Sequence, residues 1–109
     1  MTYSAISSPN GTRDLIFDAT LVLETGETLD TVAVTTAAPY LTISNVGKNA
    51  SATTVDGKTV AADKGVTFTV STTAEASAKA IINVAFVGTA GTADNYNVTL
   101  PVQAALAVE

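Results

Sequence analysis

The side chains of this 109-residue chain that could do chemistry are its ten carboxylates, because it contains no histidine and no cysteine. Without an imidazole or a thiol, the usual nucleophile–base pairs cannot form. Zinc would have to be held by carboxylates alone, which is rare. Paired-acid hydrolysis is the enzyme chemistry that remains. Asp14 and Asp18 share a strand parity, but lie about 13 Å apart in an extended chain. Glu24 and Glu27 flank a turn at Gly26. Neither pair sits in a catalytic context, and solvated edge and turn carboxylates are the expected role. The chain is expected not to be an enzyme, and to use no metal and no cofactor.

Other motifs are equally thin. Asp56-Gly57 and Asp94-Asn95 could offer oxygen ligands to calcium, but neither completes a loop pattern. Gly88-Thr89-Ala90-Gly91 has the small residues of a phosphate cradle, yet lacks the lysine and the following helix that such loops need. Asn10-Gly-Thr12, Asn49-Ala-Ser51 and Asn97-Val-Thr99 match the glycosylation pattern, an expected accident in a threonine-rich chain.

The elements that would hold these groups are strands. The length fits one domain with a single two-layer core. There is no tryptophan, and only three Phe and three Tyr, so Val, Ile, Leu and Ala must build that core. Thr and Ala make up about a third of the chain, and Thr and Val suit a pleated, half-buried surface. Charged residues are only 14%, against roughly 25% in ordinary soluble domains. So uncharged a surface suits a subunit held in an assembly. Net charge is −5, and the five cations Arg13, Lys48, Lys58, Lys64 and Lys79 are scattered. No basic patch is available for nucleic acid, and direct binding to it is not expected. No apolar run approaches the roughly 20 residues that span a bilayer, and no secretory leader is expected at 1–12.

Along the chain, residues 1–12 read as a polar N-terminal arm, either a frayed terminus or a segment that orders on a neighbouring subunit through Tyr3 and Ile6. Residues 13–109 read as one domain. Arg13 to Leu23 is expected as one long strand or a strand pair, with Leu15, Phe17, Ala19 and Leu21 on one face. Gly26 makes the following turn. Thr28 to Thr36 alternates, with Val32 and Val34 opposite Leu29, Thr31 and Ala33. A short strand at Tyr40 to Ile43 precedes a loop at Asn45 to Lys48. Asp56-Gly57 between Ser51–Val55 and Lys58–Ala61 signals a type I′ hairpin. Val66, Phe68 and Val70 mark a half-buried strand. Thr72-x-x-Glu75 matches a capping box, and Thr72 to Ala80 is expected as a loop or one helical turn.

Ala80 to Val87 and Asn95 to Ala104 form the last hairpin around a Gly88–Asn95 loop. Tyr96, placed after that loop, is expected to be buried with its hydroxyl on nearby backbone. Together the strands predict an all-β antiparallel sandwich of about seven strands. Phe17, Tyr96, Gly26 and Gly57 are its expected structural positions.

Two segments resemble a family of small tailed-phage virion proteins, fibre–tail adaptors with an immunoglobulin-like fold. One is Asp14-Leu-Ile-Phe-Asp-Ala-Thr-Leu-Val-Leu-Glu-Thr-Gly-Glu-Thr-Leu-Asp-Thr-Val-Ala-Val-Thr35. The other is Gly88-Thr-Ala-Gly-Thr92 followed by Tyr96-x-Val-Thr99. They cover less than half the chain, and Ala93-Asp94-Asn95 lengthens the family's loop before Tyr96. The resemblance implies an immunoglobulin-like sandwich in a virion, made in the host cytoplasm. It implies a tail or neck-fibre adaptor that binds other phage structural proteins (tail, neck, fibre or major capsid protein) as a homo-oligomer or symmetric copies, away from membranes. Capsid decoration, or a carbohydrate-binding adhesion domain using Tyr3, Tyr40 and Tyr96, are the alternatives. Tyr3, Ile6, Gly88, Thr89, Gly91, Asp94, Asn95 and the apolar tail Leu100–Val108 are the expected contacts.

Overall fold

A computed structural model describes residues 3, 5–8, 10–55, 57–74 and 76–104; Asp56, Glu75 with its capping box, and tail residues 105–109 lie outside it. All of its regular elements are strands: β1 (Ile6–Ser8), β2 (Thr12–Asp18), β3 (Leu29–Thr36), β4 (Leu41–Lys48), β5 (Thr53–Val55), β6 (Lys58–Val60), β7 (Gly65–Thr72), β8 (Ala78–Gly88) and β9 (Ala93–Ala104). Seven of them build two sheets, ordered β1-β9-β8-β3 and β2-β7-β4, and β5-β6 is a separate hairpin. The sheets are antiparallel except where β1 runs parallel to β9. The expected all-β sandwich is therefore present.

Strand parity explains the core. On β7 and β8, the central strands, Val66, Phe68 and Val70 meet Ile82, Val84 and Phe86, all almost fully buried. Leu15, Phe17, Val98, Leu100 and Val102 complete the cluster from the flanking strands. With no tryptophan, the packing unit is the β-branched side chain, each worth about 1.5–3 kcal/mol when fully buried.

Several sequence expectations are corrected. Among the described residues of the 1–12 arm, Tyr3 and Ile6 are not left for a neighbouring subunit: β1 pairs with β9, and the two side chains are 6% and 3% exposed within this chain's own core. The amide of Tyr3 donates to Thr99 O at 2.9 Å and its hydroxyl to Ile16 O at 3.0 Å, so this one residue ties the two sheets together. Strand β2 ends at Asp18, whose Oδ1 accepts the Thr20 amide at 2.9 Å and the Thr20 hydroxyl at 2.5 Å. That side-chain turn competes with the ladder, and it leaves Leu21 98% exposed instead of on the core face.

A register shift between Leu29 and Thr31 brings Leu29 onto the buried side that Val34 occupies. A second shift between Ser44 and Gly47, with Asn45 at φ 52°, makes Asn45–Lys48 a bulged strand instead of a loop. Between β7 and β8, none of the described residues is helical.

The β5-β6 hairpin covers part of the outer face of the β2-β7-β4 sheet. Ile16 and Val60 are buried there, outside the main cluster. A Cβ on Gly65 would lie 2.6 Å from Ile16 Cδ1 and 2.9 Å from Val60 Cγ1, so only glycine fits between them. Gly57 turns the hairpin at φ 78°.

Candidate functional site

The tip of the β8-β9 hairpin is built around one carboxylate. Gly26, at φ 80°, turns the chain so that the Glu27 amide bonds Glu24 O at 2.9 Å. The Glu27 side chain then enters the turn between β8 and β9. Its Oε2 accepts the amides of Ala90 at 2.9 Å and Thr92 at 3.2 Å. Its Oε1 accepts the Thr92 hydroxyl at 2.7 Å and the Glu24 amide at 2.9 Å.

The residue is 3% exposed. These donors, the Thr92 hydroxyl foremost and then the Glu24 amide, hold its pKa down at about 2 against the opposing pull of burial. Lys64 Nζ donates to the Glu27 backbone carbonyl. Glu27 is thus an ionised anchor whose lone pairs are spent on three backbone amides and the Thr92 hydroxyl, which unfits it for the general-acid role.

Gly88 is buried, its amide donating to Thr92 O at 2.7 Å. A Cβ there would collide with the Glu27 carboxylate and come within 2.9 Å of Leu23 Cδ2. The Thr89 amide bonds Thr28 O at 2.8 Å, and Gly91 adopts φ 91°. Gly88, Thr89 and Gly91 are therefore parts of a fixed turn, of which Thr89 and Gly91 reach solvent. The loop is shorter than the sequence suggests: Ala93, Asp94 and Asn95 belong to β9, paired with Val87, Phe86 and Ala85.

Asp94 and Asn95 are exposed, and the Asn95 amide donates to Asp94 Oδ1 at 2.8 Å. Tyr96 is 37% exposed instead of buried. Its hydroxyl donates to Asp94 Oδ2 at 3.0 Å, not to backbone, and this bond raises the phenol's pKa. The ring stacks on Phe17 at 5.6 Å and on Phe86 at 6.2 Å, capping the core's open end. The buried, backbone-bonded tyrosine is Tyr3; its distance in sequence from Ile16 hid it. Tyr40 is half-buried, so Tyr96 is the most exposed of the three tyrosines.

Asn49, which the sequence offered only as a chance glycosylation site, is 4% exposed and fully engaged. Its Nδ2 donates to Val60 O at 3.1 Å and Ala61 O at 2.8 Å, and its Oδ1 accepts the Gly65 amide at 2.9 Å. It pins β6 to the sandwich.

The outer face of β2-β7-β4 carries an open groove of about 330 Å³ beside the β5-β6 hairpin. Across it Thr69 Oγ1 donates to Asp14 Oδ1 at 2.7 Å and accepts Asn45 Nδ2 at 3.3 Å. Asp14 lies in this groove, while Asp18 serves its own turn; the structure gives them no shared partner. Among the described residues, no group of three or more Asp or Glu could hold a metal ion. No family model, curated protein or solved structure matches this chain.

Proposed function

We propose that the chain is a non-enzymatic structural protein of a bacteriophage particle, binding neighbouring subunits as a tail or neck-fibre adaptor. The observation that carries this is the Glu27 anchor. The two segments that resemble the virion family, one containing Gly26-Glu27-Thr28 and the other Gly88–Thr92, are separate in sequence but form one hydrogen-bonded unit. A motif pair held together by three bonds to one carboxylate is less easily a coincidence of turn composition. The strand order supports the immunoglobulin-like part of the proposal: β2-β7-β4 against β9-β8-β3 has the B-E-D and G-F-C arrangement of such sandwiches, with β1 added beside the last strand.

The function is assembly through exposed edges and loops, and it asks no reaction of the carboxylates. The test is absolute quantification of the chain in purified particles, together with its distribution between separated heads and tails. A few copies per particle, in the tail fraction, is the expected result. Hundreds of copies on heads would move the role to capsid decoration, and absence from particles would overturn the proposal.

A further inference from the structure

Unpaired strand edges invite pairing with another chain, and folded proteins blunt them with charge, proline, bulges or short strands. Three of the four sheet edges here are blunted. On one side of the larger sheet, β1 is three residues long, β9 contains Pro101, and the exposed amide of Asn95 is taken by Asp94. On β2, Tyr3 occupies the Ile16 carbonyl, and Arg13, Asp14 and Asp18 supply charge. On β4, the register shift at Ser44–Gly47 breaks the edge, and Lys48 ends it.

The fourth edge, β3, is different. After its bulge at Asp30, the run Thr31-Val-Ala-Val-Thr-Thr36 has no charge, no glycine, no proline and no bulge.

The backbone orientation follows from alternation. The Thr99 carbonyl turns outward to accept the Tyr3 amide. Val98 therefore faces Ile82, and Asn83, Ala85 and Val87 face Thr35, Ala33 and Thr31. That leaves the amides and carbonyls of Val32 and Val34 pointing away from β8, on the side of β3 where no strand pairs with it among the described residues.

We infer that β3 pairs with β3 of a second copy of this chain, antiparallel and centred on Ala33. Thr31-Val32-Ala33-Val34-Thr35 reads the same in both directions. In this register Val32 meets Val34 of the other copy through four backbone hydrogen bonds. Thr31 meets Thr35 and Ala33 meets Ala33 on the outer face. This is the self-complementary contact that a two-fold axis requires.

Charge favours the same partner. In a chain of net charge −5, this register keeps the two Asp30 carboxylates about 20 Å apart, beyond the screening length. An edge of this length buries far less than the roughly 800 Å² per partner of a stable dimer. The pair is weak in dilute solution, and gains where an assembly concentrates the copies. The inference names a partner for the assembly proposed above and rests on that proposal only for its setting. A solution dimer in a chain absent from particles would uphold the pairing and overturn the virion role.

The test is sedimentation equilibrium from about 10 µM to about 1 mM, the span of weak affinities. Wild type should show a monomer–dimer equilibrium. Ala33→Lys and Ala33→Glu, at a position exposed in the monomer, should each weaken it about tenfold or more by placing like charges opposite one another. An equimolar mixture of the two should restore it. Ala93→Lys, exposed on the opposite edge, should leave it unchanged. Because the chain has no cysteine, Ala33→Cys gives a second readout: with dissolved oxygen as oxidant a disulfide dimer should form, and Ala93→Cys should not form one. A wild type that stays monomeric, a mixture without rescue, or an equal effect at Ala93 overturns the inference.

Discussion

Asn49 offers a sharp test of how this sandwich holds its β5-β6 hairpin. Replacing Asn49 with Asp keeps shape and volume, but turns the group that donates to Val60 O and Ala61 O into a carboxylate oxygen facing two carbonyls. Only the bond from the Gly65 amide survives. In the ionised form two buried hydrogen bonds, each worth about 1 kcal/mol, are lost, whereas the protonated acid keeps one O–H to donate to one of the two carbonyls. Above the carboxyl's ordinary pKa, an unpaired buried charge adds to this, and the total loss reaches about 3–5 kcal/mol. Against a domain stability of about 5–15 kcal/mol, that is a large fraction.

The sign follows from linkage. Burial against two carbonyls, with the Gly65 amide as the one donor kept, raises the folded pKa of the introduced acid above its unfolded value near 3.9. The folded state then binds more protons than the unfolded one, so the variant loses stability as pH rises from that value up to the folded pKa. Urea unfolding of variant and wild type at pH 4 and pH 7 isolates the effect, because the wild-type dependence cancels in the difference. The penalty should be at least about 1 kcal/mol larger at pH 7. Asn49→Ala, which leaves the Gly65 amide without that acceptor, should cost about 2–4 kcal/mol at both pH values. An Asp variant equally destabilised at the two pH values, or as stable as wild type at pH 7, would refute the reasoning.

Glu27 predicts the opposite pH dependence. Its folded pKa of about 2 lies below the ordinary 4.5, so its contribution is fully present above pH 4.5 and is lost as pH falls toward 2, measurable as a falling melting temperature that Glu27→Gln flattens. Gly88→Ala, whose Cβ collides with that carboxylate, should loosen the hairpin tip, read as faster amide exchange at Ala90 and Thr92. Tyr3→Phe should cost about 1 kcal/mol in urea unfolding through the lost bond to Ile16 O. Asp94→Asn should lower the Tyr96 phenol pKa toward its ordinary value in an absorbance titration, since the bond to Asp94 is what raises it.

What could be read from the sequence was what depends on near neighbours. Alternation at Val66, Phe68 and Val70 places β7 because parity alone decides it. The hairpin that Asp56-Gly57 signals follows for the same local reason, with Val55 paired to Lys58. Parity fails where the chain spends an extra residue. The shift at Leu29–Thr31 puts Leu29 inside, and nothing in the residue types there marks a bulge. Long-range polar partners were equally hidden. Ser8 is fully buried because its hydroxyl bonds the amide and carbonyl of Ala76 and lies near Gln103 O, contacts spanning most of the chain. A serine in a polar N-terminal stretch carries no sign of that, so β1 reads as a loose arm. Glu27 was visible only as the acid of a turn motif.

The devices that close this fold fall on particular sides of it. Glu27 seals the hairpin tip with three bonds to one carboxylate, Tyr3 bridges the two sheets along the side where β1 and β2 are edges, and Asn49 fastens the outer hairpin. Each places a polar side chain where the backbone of another segment would otherwise lack a partner, so each removes a docking opportunity as well as adding stability. On β3, the Thr36 hydroxyl turns inward along the sheet to Ile81 O, and the Val32 and Val34 amides gain nothing from it. A low-charge chain cannot guard every edge with lysine or aspartate, and this one guards two by individual hydrogen bonds and a third by a bulge. The unguarded edge is also the one whose sequence reads the same in both directions. If β3 were bare only through relaxed constraint, that palindrome would have no physical counterpart. If copies meet there, the lack of charge and the symmetry both follow from the two-fold axis.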